Sequence, residues 1–272
     1  MIITGNSLEK LKELSSSSVQ CIVTSPPYWG LRDYDNDEQL GTEKTPEKFV
    51  SNLADIFEEG KRVLRDDGTA WINLGDTYFG AKGGAWVGEN SIQEKEEYRM
   101  KKKAPPKHAY LKTKDLIGVP WRFAIEMQKR GWYLRQDIIW HKTCPMPESV
   151  NDRLQKSHEH IFLFSKKKNY YFNAMAIAKP SIDGDRLVRL QDVWTIPTSN
   201  YQGAHFAVFP TKLPELCIKA GTKEGDVVLD PFMGSGTTAY VAQKLSRKWI
   251  GIELNPNYVK IIKERVAQQS LF

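Results

Sequence analysis

The hydrophobic residues of this chain are grouped in short continuous runs, separated by longer segments in which apolar residues recur at a helical spacing. The runs predict strands over residues 2–3, 19–24, 69–74, 161–164, 227–229 and 249–252, with a further strand ending near 140. The spaced segments predict helices over residues 7–14, 45–64, 120–130 and 237–245. Such regular alternation of strands and helices is typical of an α/β domain with a mostly parallel sheet.

Two long stretches interrupt this alternation. Residues 75–116 are rich in Gly, Lys and Pro and predict an insertion, and residues 174–204 predict a second irregular stretch. A helix end and turn are predicted over 63–68. With 272 residues, the chain can bury a substantial core as one domain, 1–272, without disulfide bonds.

A proline-stiffened turn directly follows one of the predicted strands. It reads Ser25-Pro26-Pro27-Tyr28. Two consecutive prolines fix φ and remove two backbone donors, so the turn presents carbonyl oxygens. Ser25 adds a hydroxyl acceptor, while Tyr28 and the following Trp29 add flat apolar faces. These groups suit the binding of a planar ligand with an amino group, although a strand exit with two packing aromatics has the same pattern.

A second motif, near the C-terminus, combines a strand, a glycine turn and a helix. Asp230 ends the strand, and Gly234 and Gly236 permit a tight turn with close backbone approach to a ligand. Glu253 ends the next strand, where a carboxylate can accept hydrogen bonds from a ribose diol. This order of acids and glycines favours a nucleoside site over a plain strand–helix connection. Neither a dinucleotide fingerprint nor a phosphate loop is present, so NAD and ATP are disfavoured.

With both motifs in one chain, the sequence resembles the S-adenosylmethionine-dependent DNA amino-methyltransferases, which modify the exocyclic nitrogen of cytosine or adenine. The order of the motifs resembles their permuted beta class. Connecting segments also fit the resemblance, at residues 117–124, 131–135, 138–142, 158–162 and 209–216. The resemblance implies a doubly wound, mostly parallel α/β sheet, the class I methyltransferase fold in circularly permuted form, with a DNA-binding insertion.

The resemblance further implies where S-adenosylmethionine binds. The expected cofactor-binding residues are Asp230, Phe232, Gly234, Ser235, Gly236, Thr237, Glu253, Asn6 and Lys212. Glu253 is expected to hold the ribose. Asn6 stands where the family often has an aspartate near the adenine, and it keeps one acceptor while adding a donor. Lys212 and the helix after Pro214 are expected to cover the other side of the cofactor.

The expected catalytic residues are those of the proline-stiffened turn, Ser25, Pro26, Pro27 and Tyr28. The Ser25 hydroxyl and the Pro26 carbonyl would accept the amino protons of a base, and Tyr28 would stack on it after it flips out of the duplex. Serine at the first position leans toward cytosine N4 in the family. A neutral hydroxyl serves adenine N6 equally well, so cytosine is the prediction and adenine the alternative.

Charge points to double-stranded DNA as the partner. The formal net charge is +6, and residues 98–114 carry seven basic residues and no acidic one. A basic patch of this kind suits a polyanion, although it is also found in solvated surface loops. The expected DNA contacts are Trp29, Lys101, Lys102, Lys103 and Lys107. Residues 174–204 are the predicted target-recognition segment.

Other classes of protein fit less well. A C5-cytosine methyltransferase needs a cysteine after proline, whereas Cys144 precedes Pro145. A protein-glutamine or RNA methyltransferase usually has asparagine in place of Ser25, and a DNA-binding module without activity would show decayed motifs. His141 and His158 lack a third ligand at a metal-binding spacing, so no metal site is predicted.

The remaining features concern the cellular setting. No apolar run approaches the ~20 residues that span a bilayer, and the N-terminus lacks the pattern of a signal peptide. The three cysteines are far apart in the sequence, which is typical of a reducing compartment. We therefore expect a cytoplasmic protein of a prokaryotic cell or phage-infected host. A homodimer and a cognate restriction endonuclease acting on the same site are the expected protein partners.

Overall fold

The computed structural model describes residues 1–30, 38–80, 108–198 and 209–267. The strands within these residues are β1 Ile2–Thr4, β2 Val19–Thr24, β3 Leu64–Leu74, β4 Tyr133–His141, β5 His158–Ser165, β6 Lys179–Pro180, β7 Leu187–Val188, β8 Val193–Thr195, β9 Val227–Asp230 and β10 Lys248–Glu253. The helices are α1 Ser7–Lys12, α2 Pro46–Val63, α3 Val119–Lys129, α4 Lys212–Gly221, α5 Thr237–Lys244 and α6 Pro256–Ala267. The predicted order of strands and helices is confirmed.

Eight strands form one sheet in the order β1–β10–β9–β2–β3–β5–β4–β8. Strand β5 is antiparallel to both of its neighbours, and every other pair in this sheet is parallel. Ile2 of β1 lies opposite Gly251 of β10, so the first and last described strands of the chain are neighbours. This is the arrangement that a circular permutation produces, and the predicted fold class is confirmed.

Helices cover both faces of the sheet. Successive residues of a strand point to opposite faces and therefore pack against different helices. Ile22 of β2 packs in the core cluster that contains residues of α1, α2 and α3. Cys21 and Val23, its neighbours in β2, pack in the cluster that contains residues of α4 and α5. A strand with both faces buried in this way carries a continuous apolar run, which is why β2 could be recognised in the sequence.

Strand β3 begins earlier than the sequence pattern indicates. The predicted helix end is confirmed at Val63, and Leu64, which is fully buried, already pairs with Val19 of β2. The next paired residue of β3 is Thr69, opposite Cys21, so residues 65–68 form an irregularity within the strand at the place where the turn was predicted. A side chain at Gly68 would lie 2.8 Å from the Gln20 carbonyl oxygen, so glycine there permits close approach of the two strands. Glycine in a strand often has this meaning.

The stretch predicted as irregular, 174–204, contributes a strand to the sheet. Strand β8 pairs in parallel with β4, and Trp194 at its centre is buried against Trp71, with ring centroids 6.3 Å apart. A three-residue strand with one buried side chain has no periodicity to detect. Strands β6 and β7 form a separate antiparallel pair within the same stretch.

The two ends of the predicted insertion, 75–116, pair with each other. Tyr78 and Leu116 form an isolated antiparallel bridge, and the Phe79 amide donates to the Asp115 carbonyl at 2.8 Å. Residues 81–107 lie outside the described residues, and with them Lys101, Lys102, Lys103 and Lys107. In the part of the chain that is described, no helix combines the length and apolarity needed to cross a membrane.

Candidate active site

A cleft of about 960 Å³ opens along the edge of the sheet at which the parallel strands end. Its lining residues come from the segments that follow β1, β2, β9 and β10 and from the facing ends of β3, β4 and β5. The chain continues from β9 to β10 on one side of the sheet and from β2 to β3 on the other. The cleft therefore lies at the topological switch point, where open α/β sheets bind their ligands.

Asp230 joins the two sides of this switch point. Its Oδ1 atom accepts hydrogen bonds from Thr24 Oγ1 at 2.6 Å and from the Phe232 amide at 3.0 Å. Its Oδ2 atom is buried and has no hydrogen-bond partner among the described residues. Burial raises the pKa of the Asp230 carboxyl to about 6, and its hydrogen bonds only partly offset that effect. Asp230 itself does not line the cleft.

Glu253 shapes the glycine turn from the neighbouring strand. Its two oxygens accept the Gly234 amide at 2.7 Å and the Asn255 amide at 2.8 Å. Burial raises the pKa of the Glu253 carboxyl to about 6. Each carboxylate oxygen keeps a further acceptor site, and Glu253 lines the cleft. It can thus hold the turn and a ligand at the same time.

The other turn residues differ in where they face. Phe232, Gly234, Ser235 and Thr237 line the cleft. The Ser235 and Thr237 hydroxyls also lie within 3.0 Å of the Arg265 guanidinium, which ties them to α6. Gly236 does not line the cleft and faces α6 instead.

The reason for glycine at 236 is therefore packing. Its φ is +79°, and a Cβ atom there would lie 2.9 Å from Ile262 Cγ2. We predict that Gly236→Ala lowers the free energy of unfolding by about 1–3 kcal/mol, from left-handed strain and displacement of Ile262. Urea unfolding of the wild type and the variant measures this loss of stability.

Gly184→Ala is the matched control for this substitution. Gly184 has a similar φ of +76° but open space around its Cβ position. Gly184→Ala should lower the free energy of unfolding only by the part that comes from left-handed backbone strain. Equal losses at positions 184 and 236 would show that the contact with Ile262 is unimportant.

The remaining cofactor candidates are Asn6 and Lys212. Asn6 lines the cleft, and its Oδ1 accepts the Leu8 amide at 3.0 Å as the N-cap of α1. Its amide nitrogen can still donate to a ligand. Lys212 is exposed, contacts Glu215 at 3.2 Å and does not line the cleft.

All four residues of the proline-stiffened turn line the opposite side of the cleft. The Ser25 hydroxyl oxygen accepts from Asn73 Nδ2 at 3.3 Å. The Tyr28 ring packs on Gly75, where an added Cβ atom would come within 2.6 Å of the ring. The turn is thus held both by its prolines and by the end of β3.

A buried polar network supports this turn, and sequence reasoning missed it. Glu159 Oε2 accepts from the Tyr28 hydroxyl at 2.6 Å and from Asn73 Nδ2 at 2.8 Å. Its Oε1 accepts from the Lys142 ammonium. The only signal in the sequence is a glutamate at the start of the apolar run that forms β5. That signal does not say which residues it meets.

The charges in this network shift pKa values in opposite directions. Burial by itself raises the pKa of the Glu159 carboxyl, but Lys142 and the hydrogen bonds from Tyr28 and Asn73 outweigh it, so that pKa lies below its usual value. Burial, and then the Glu159 charge, raise the pKa of the Tyr28 phenol well above its usual value. Glu159 is therefore ionised and Tyr28 is neutral at physiological pH.

Trp29 is half-buried and packs against the core. Its indole nitrogen donates to the Glu43 carbonyl at 2.9 Å, and its ring stacks on Phe79 with centroids 6.5 Å apart. It does not line the cleft.

The wall of the cleft beyond Tyr28 is formed by Trp140, Lys142, residues 145–148 and Lys156. Trp140 is almost fully buried, with its indole nitrogen bonded to the Ile196 carbonyl at 2.8 Å. Desolvation lowers the pKa of Lys156. No cluster of metal-ligating side chains occurs in the described ranges.

Comparison with known proteins identifies relatives over almost the full length. A family profile described as DNA methylase matches residues 19–264. The chain is 47% identical to the Type II methyltransferase M.SmaI of Serratia marcescens over 270 residues. This alignment covers 98% of this chain and 91% of that protein. The chain is also 48% identical over 265 residues to the Type II methyltransferase M.Cfr9I of Citrobacter freundii, covering 97% and 87%.

Solved structures share the fold. The protein TTHA0409 of Thermus thermophilus, in complex with S-adenosyl-L-methionine, superposes with a TM-score of 0.68 at 26% identity, covering 98% of this chain and 93% of that one. The PvuII DNA methyltransferase, described as cytosine-N4-specific, superposes with a TM-score of 0.71 at 23% identity, covering 97% and 85%. At that identity, the PvuII enzyme supports the fold alone.

Proposed function

The chain belongs to the N6/N4 DNA methylase family, and from that premise we propose that it methylates the N4 amino group of cytosine. It is a DNA methyltransferase that uses S-adenosylmethionine. The observation that supports amino-methylation is that Ser25, the first residue of the proline-stiffened turn, lines the same cleft as Glu253 and the glycine turn. A base acceptor and a nucleoside site are thus adjacent. Cytosine is proposed as the base because serine at this first position leans toward cytosine in the family.

The chemistry of one half of the cleft fits this cofactor. Glu253 offers carboxylate lone pairs for a ribose diol, and Asn6 offers an amide nitrogen for a purine ring. Phe232 adds an aromatic surface, and the buried Asp230 Oδ2, which has no hydrogen-bond partner in the described part of the chain, leaves a negative field near the glycine turn. When bound, S-adenosylmethionine supplies the electrophilic methyl group. We assign its binding to Asn6, Phe232, Gly234, Ser235, Thr237 and Glu253, with Asp230 and Gly236 shaping the loop.

The residues of the turn act on the base. An exocyclic amino nitrogen is a weak nucleophile because its lone pair is delocalised into the ring. Ser25 Oγ accepts one hydrogen bond from Asn73, which leaves a lone pair for the base, and its hydroxyl proton can be shared between the Tyr28 oxygen and the base. The lone pair and the Pro26 carbonyl accept the amino protons and so favour the positive charge that develops on nitrogen as it bonds to the methyl group. The electron pair of the broken S–C bond would stay on the thioether product, S-adenosylhomocysteine, and the nitrogen would lose one amino proton to solvent.

Tyr28 is proposed as the platform for the base. The base must leave the duplex stack to reach the cleft. Tyr28 is held at its hydroxyl by Glu159 and at its ring by Gly75, so little side-chain freedom is lost when the base stacks. Stacking on a rigid aromatic ring contributes ~1–3 kcal/mol per base.

Labelled methyl transfer to mixed-sequence DNA, followed by mass spectrometry of the nucleosides, tests the proposal. The expected product is N4-methylcytosine. N6-methyladenine would contradict cytosine as the target and establish the alternative, because the hydroxyl of Ser25 serves both amino groups. RNA and total protein serve as competing acceptors in the same assay.

The basic insertion is proposed to clamp DNA phosphates, while residues 174–204 are proposed to read bases. We predict that replacing Lys101, Lys102 and Lys103 by alanine reduces the slope of log affinity against log salt by about 2–3, since each phosphate contact contributes about 0.9. Fluorescence anisotropy with a labelled duplex at several salt concentrations measures the slope.

A triple variant with the same loss of charge is the control. Lys223 precedes β9, Lys244 ends α5 and Lys248 begins β10, so all three lie toward the edge of the sheet opposite the cleft. Their replacement by alanine should leave the slope near that of the wild type. Equal slopes for the two triple variants would show that Lys101, Lys102 and Lys103 do not contact DNA phosphates and belong to an ordinary solvated surface.

The protein partners and the location stay proposals. The Type II designation of the relatives supports a cognate restriction endonuclease and a bacterial cytoplasm. A restriction endonuclease that cannot cut DNA methylated by this enzyme would support that pairing. The homodimer remains a prediction, and sedimentation of the full chain with and without DNA tests it.

A further inference from the structure

Glu159 connects the two residues that define the base side of the cleft. One of its oxygens accepts from the Tyr28 hydroxyl and from Asn73 Nδ2, and that same nitrogen donates to Ser25 Oγ. The Glu159 side chain is only 11% exposed, and that of its partner Lys142 is 20% exposed. Burial of a charged pair carries a desolvation penalty, so we expect this pair to have a role beyond stabilising the fold.

Glu159 also decides which way the Asn73 amide points. Asn73 Nδ2 lies 2.8 Å from Glu159 Oε2, 3.0 Å from the Tyr28 hydroxyl and 3.3 Å from Ser25 Oγ, so it faces three oxygens. Its Oδ1 is buried without a partner among the described residues. The reverse orientation would place Oδ1 against an ionised carboxylate. The charge of Glu159 therefore keeps the nitrogen toward Ser25, although Oδ1 goes unsatisfied.

The orientation of Asn73 has a consequence at Ser25. Because Nδ2 has no lone pair to accept with, the Ser25 hydroxyl proton cannot be donated to it. Asn73 therefore does not take this proton, and its alternative acceptor within the protein is the Tyr28 hydroxyl oxygen. The proton can turn from that oxygen to the ring nitrogen beside the amino group of a bound base, while one Oγ lone pair accepts from the amino group. If Asn73 turned its oxygen to Ser25, the hydroxyl proton would be consumed inside the protein.

We propose that Glu159 is a positioning residue for methyl transfer, which acts through Asn73 and Tyr28 to orient the Ser25 hydroxyl and the stacking platform toward the base. The inference rests on the proposed role of Ser25 and goes beyond it. Lys142 balances the charge of Glu159, and its ammonium lies 4.7 Å from the centroid of the Trp140 ring.

A purely structural ion pair would behave differently from a positioning residue. When a buried ion pair is replaced on both sides by neutral groups of similar volume, stability is often kept or gained. Activity should then recover together with stability. A positioning charge is not replaced by restoring the packing, so activity should stay low when stability recovers.

Three variants separate these cases: Glu159→Gln, Lys142→Met, and the double variant with both substitutions. We expect Glu159→Gln to lower kcat by about 10- to 100-fold, because misplacement of a reacting group by about 1 Å costs this much. The KM for S-adenosylmethionine should change less than about 3-fold, since Glu159 lies on the base side of the cleft. Thermal unfolding of each variant is measured in parallel.

The double variant distinguishes a positioning residue from a purely structural ion pair, because it leaves no unpaired buried charge that would destabilise the fold. We expect its Tm to return close to that of the wild type while its kcat stays reduced about as much as in Glu159→Gln. Recovery of kcat with Tm would overturn the proposal and leave an ion pair that only stabilises the fold. An unchanged kcat in Glu159→Gln would overturn it as well.

Ser25→Ala in the same assay distinguishes failure of this inference from failure of the proposed function. Loss of turnover in Ser25→Ala with full turnover in Glu159→Gln would remove the role of Glu159 alone. Full turnover in Ser25→Ala would remove the role of Ser25, and the inference on Glu159 with it.

Discussion

Replacement of Ser25 by alanine is expected to lower kcat by about 100- to 1,000-fold, the loss typical when one group that stabilises developing charge is removed. The hydroxyl is the only part of the side chain that alanine lacks, and the adjacent Pro26 and Pro27 keep the backbone of the turn in place. Asn73 loses one acceptor but keeps Tyr28 and Glu159. Folding and cofactor binding should therefore be nearly unchanged.

Single-turnover methyl transfer and calorimetric titration with S-adenosylmethionine measure the two effects separately. The dissociation constant of the cofactor should change by less than about 2-fold, since the two halves of the cleft are built from different strands. Ser18→Ala is the control, because the Ser18 hydroxyl donates an exposed hydrogen bond to the Ser15 carbonyl and lies at the amino end of β2, away from the cleft. Methyl transfer by Ser25→Ala at the rate of the wild type would refute the acceptor role.

The second large effect concerns Asp230 and pH. Its folded-state pKa of about 6 lies above the ordinary value of 3.8, so the folded protein binds this proton more tightly than the unfolded chain does. The stabilising contribution is fully present below pH 3.8 and is lost as pH rises through about 6. Asp230→Asn cannot ionise, so we expect it to raise the free energy of unfolding of the cofactor-free protein at pH 8 by up to about 3 kcal/mol.

The same substitution should weaken cofactor binding, because the negative field beside the glycine turn disappears while the acceptor for Thr24 and Phe232 remains. Urea unfolding between pH 4 and 8, with calorimetric titration at pH 8, tests both parts. Glu58→Gln, at an exposed position of α2, is the control and should change neither. If Asp230→Asn shows the same pH dependence of stability as the wild type, Asp230 is not the carboxyl that titrates.

These two predictions start from residues that the sequence identified, but the structure changed the reason given for some of their neighbours. Gly236 was expected to let a ligand approach, whereas its Cβ position is filled by Ile262 of α6. Asp230 and Lys212 were expected at the cofactor, yet neither lines the cleft. The spacing of a glycine turn shows where a chain can bend, but it does not show which side of the bend another helix covers.

The opposite holds for Glu159, Asn73 and Lys142. Glu159 and Lys142 lie in segments that fit the family, but nothing in the sequence gave any of the three a role at the site. They meet because β3 pairs with β5 so that Asn73 lies opposite Ile161, and β5 pairs with β4 so that Glu159 lies opposite Trp140. A slip of one residue in either register would turn Glu159 to the other face of the sheet. That register depends on packing on both faces and is not visible in any one segment.

Local patterns in the sequence were sufficient for the α/β alternation, the proline-stiffened turn and the glycine turn with its two acids, because each depends on the conformational preferences and burial of neighbouring residues. Those features were enough to recognise the family and the cofactor. Only the folded chain shows that both motifs line one cleft, that Glu159 and Lys142 support the base side, and that Trp29 packs against the core outside the cleft. These outcomes depend on contacts between residues far apart in the chain, which only the pairing and covering of the strands can bring together.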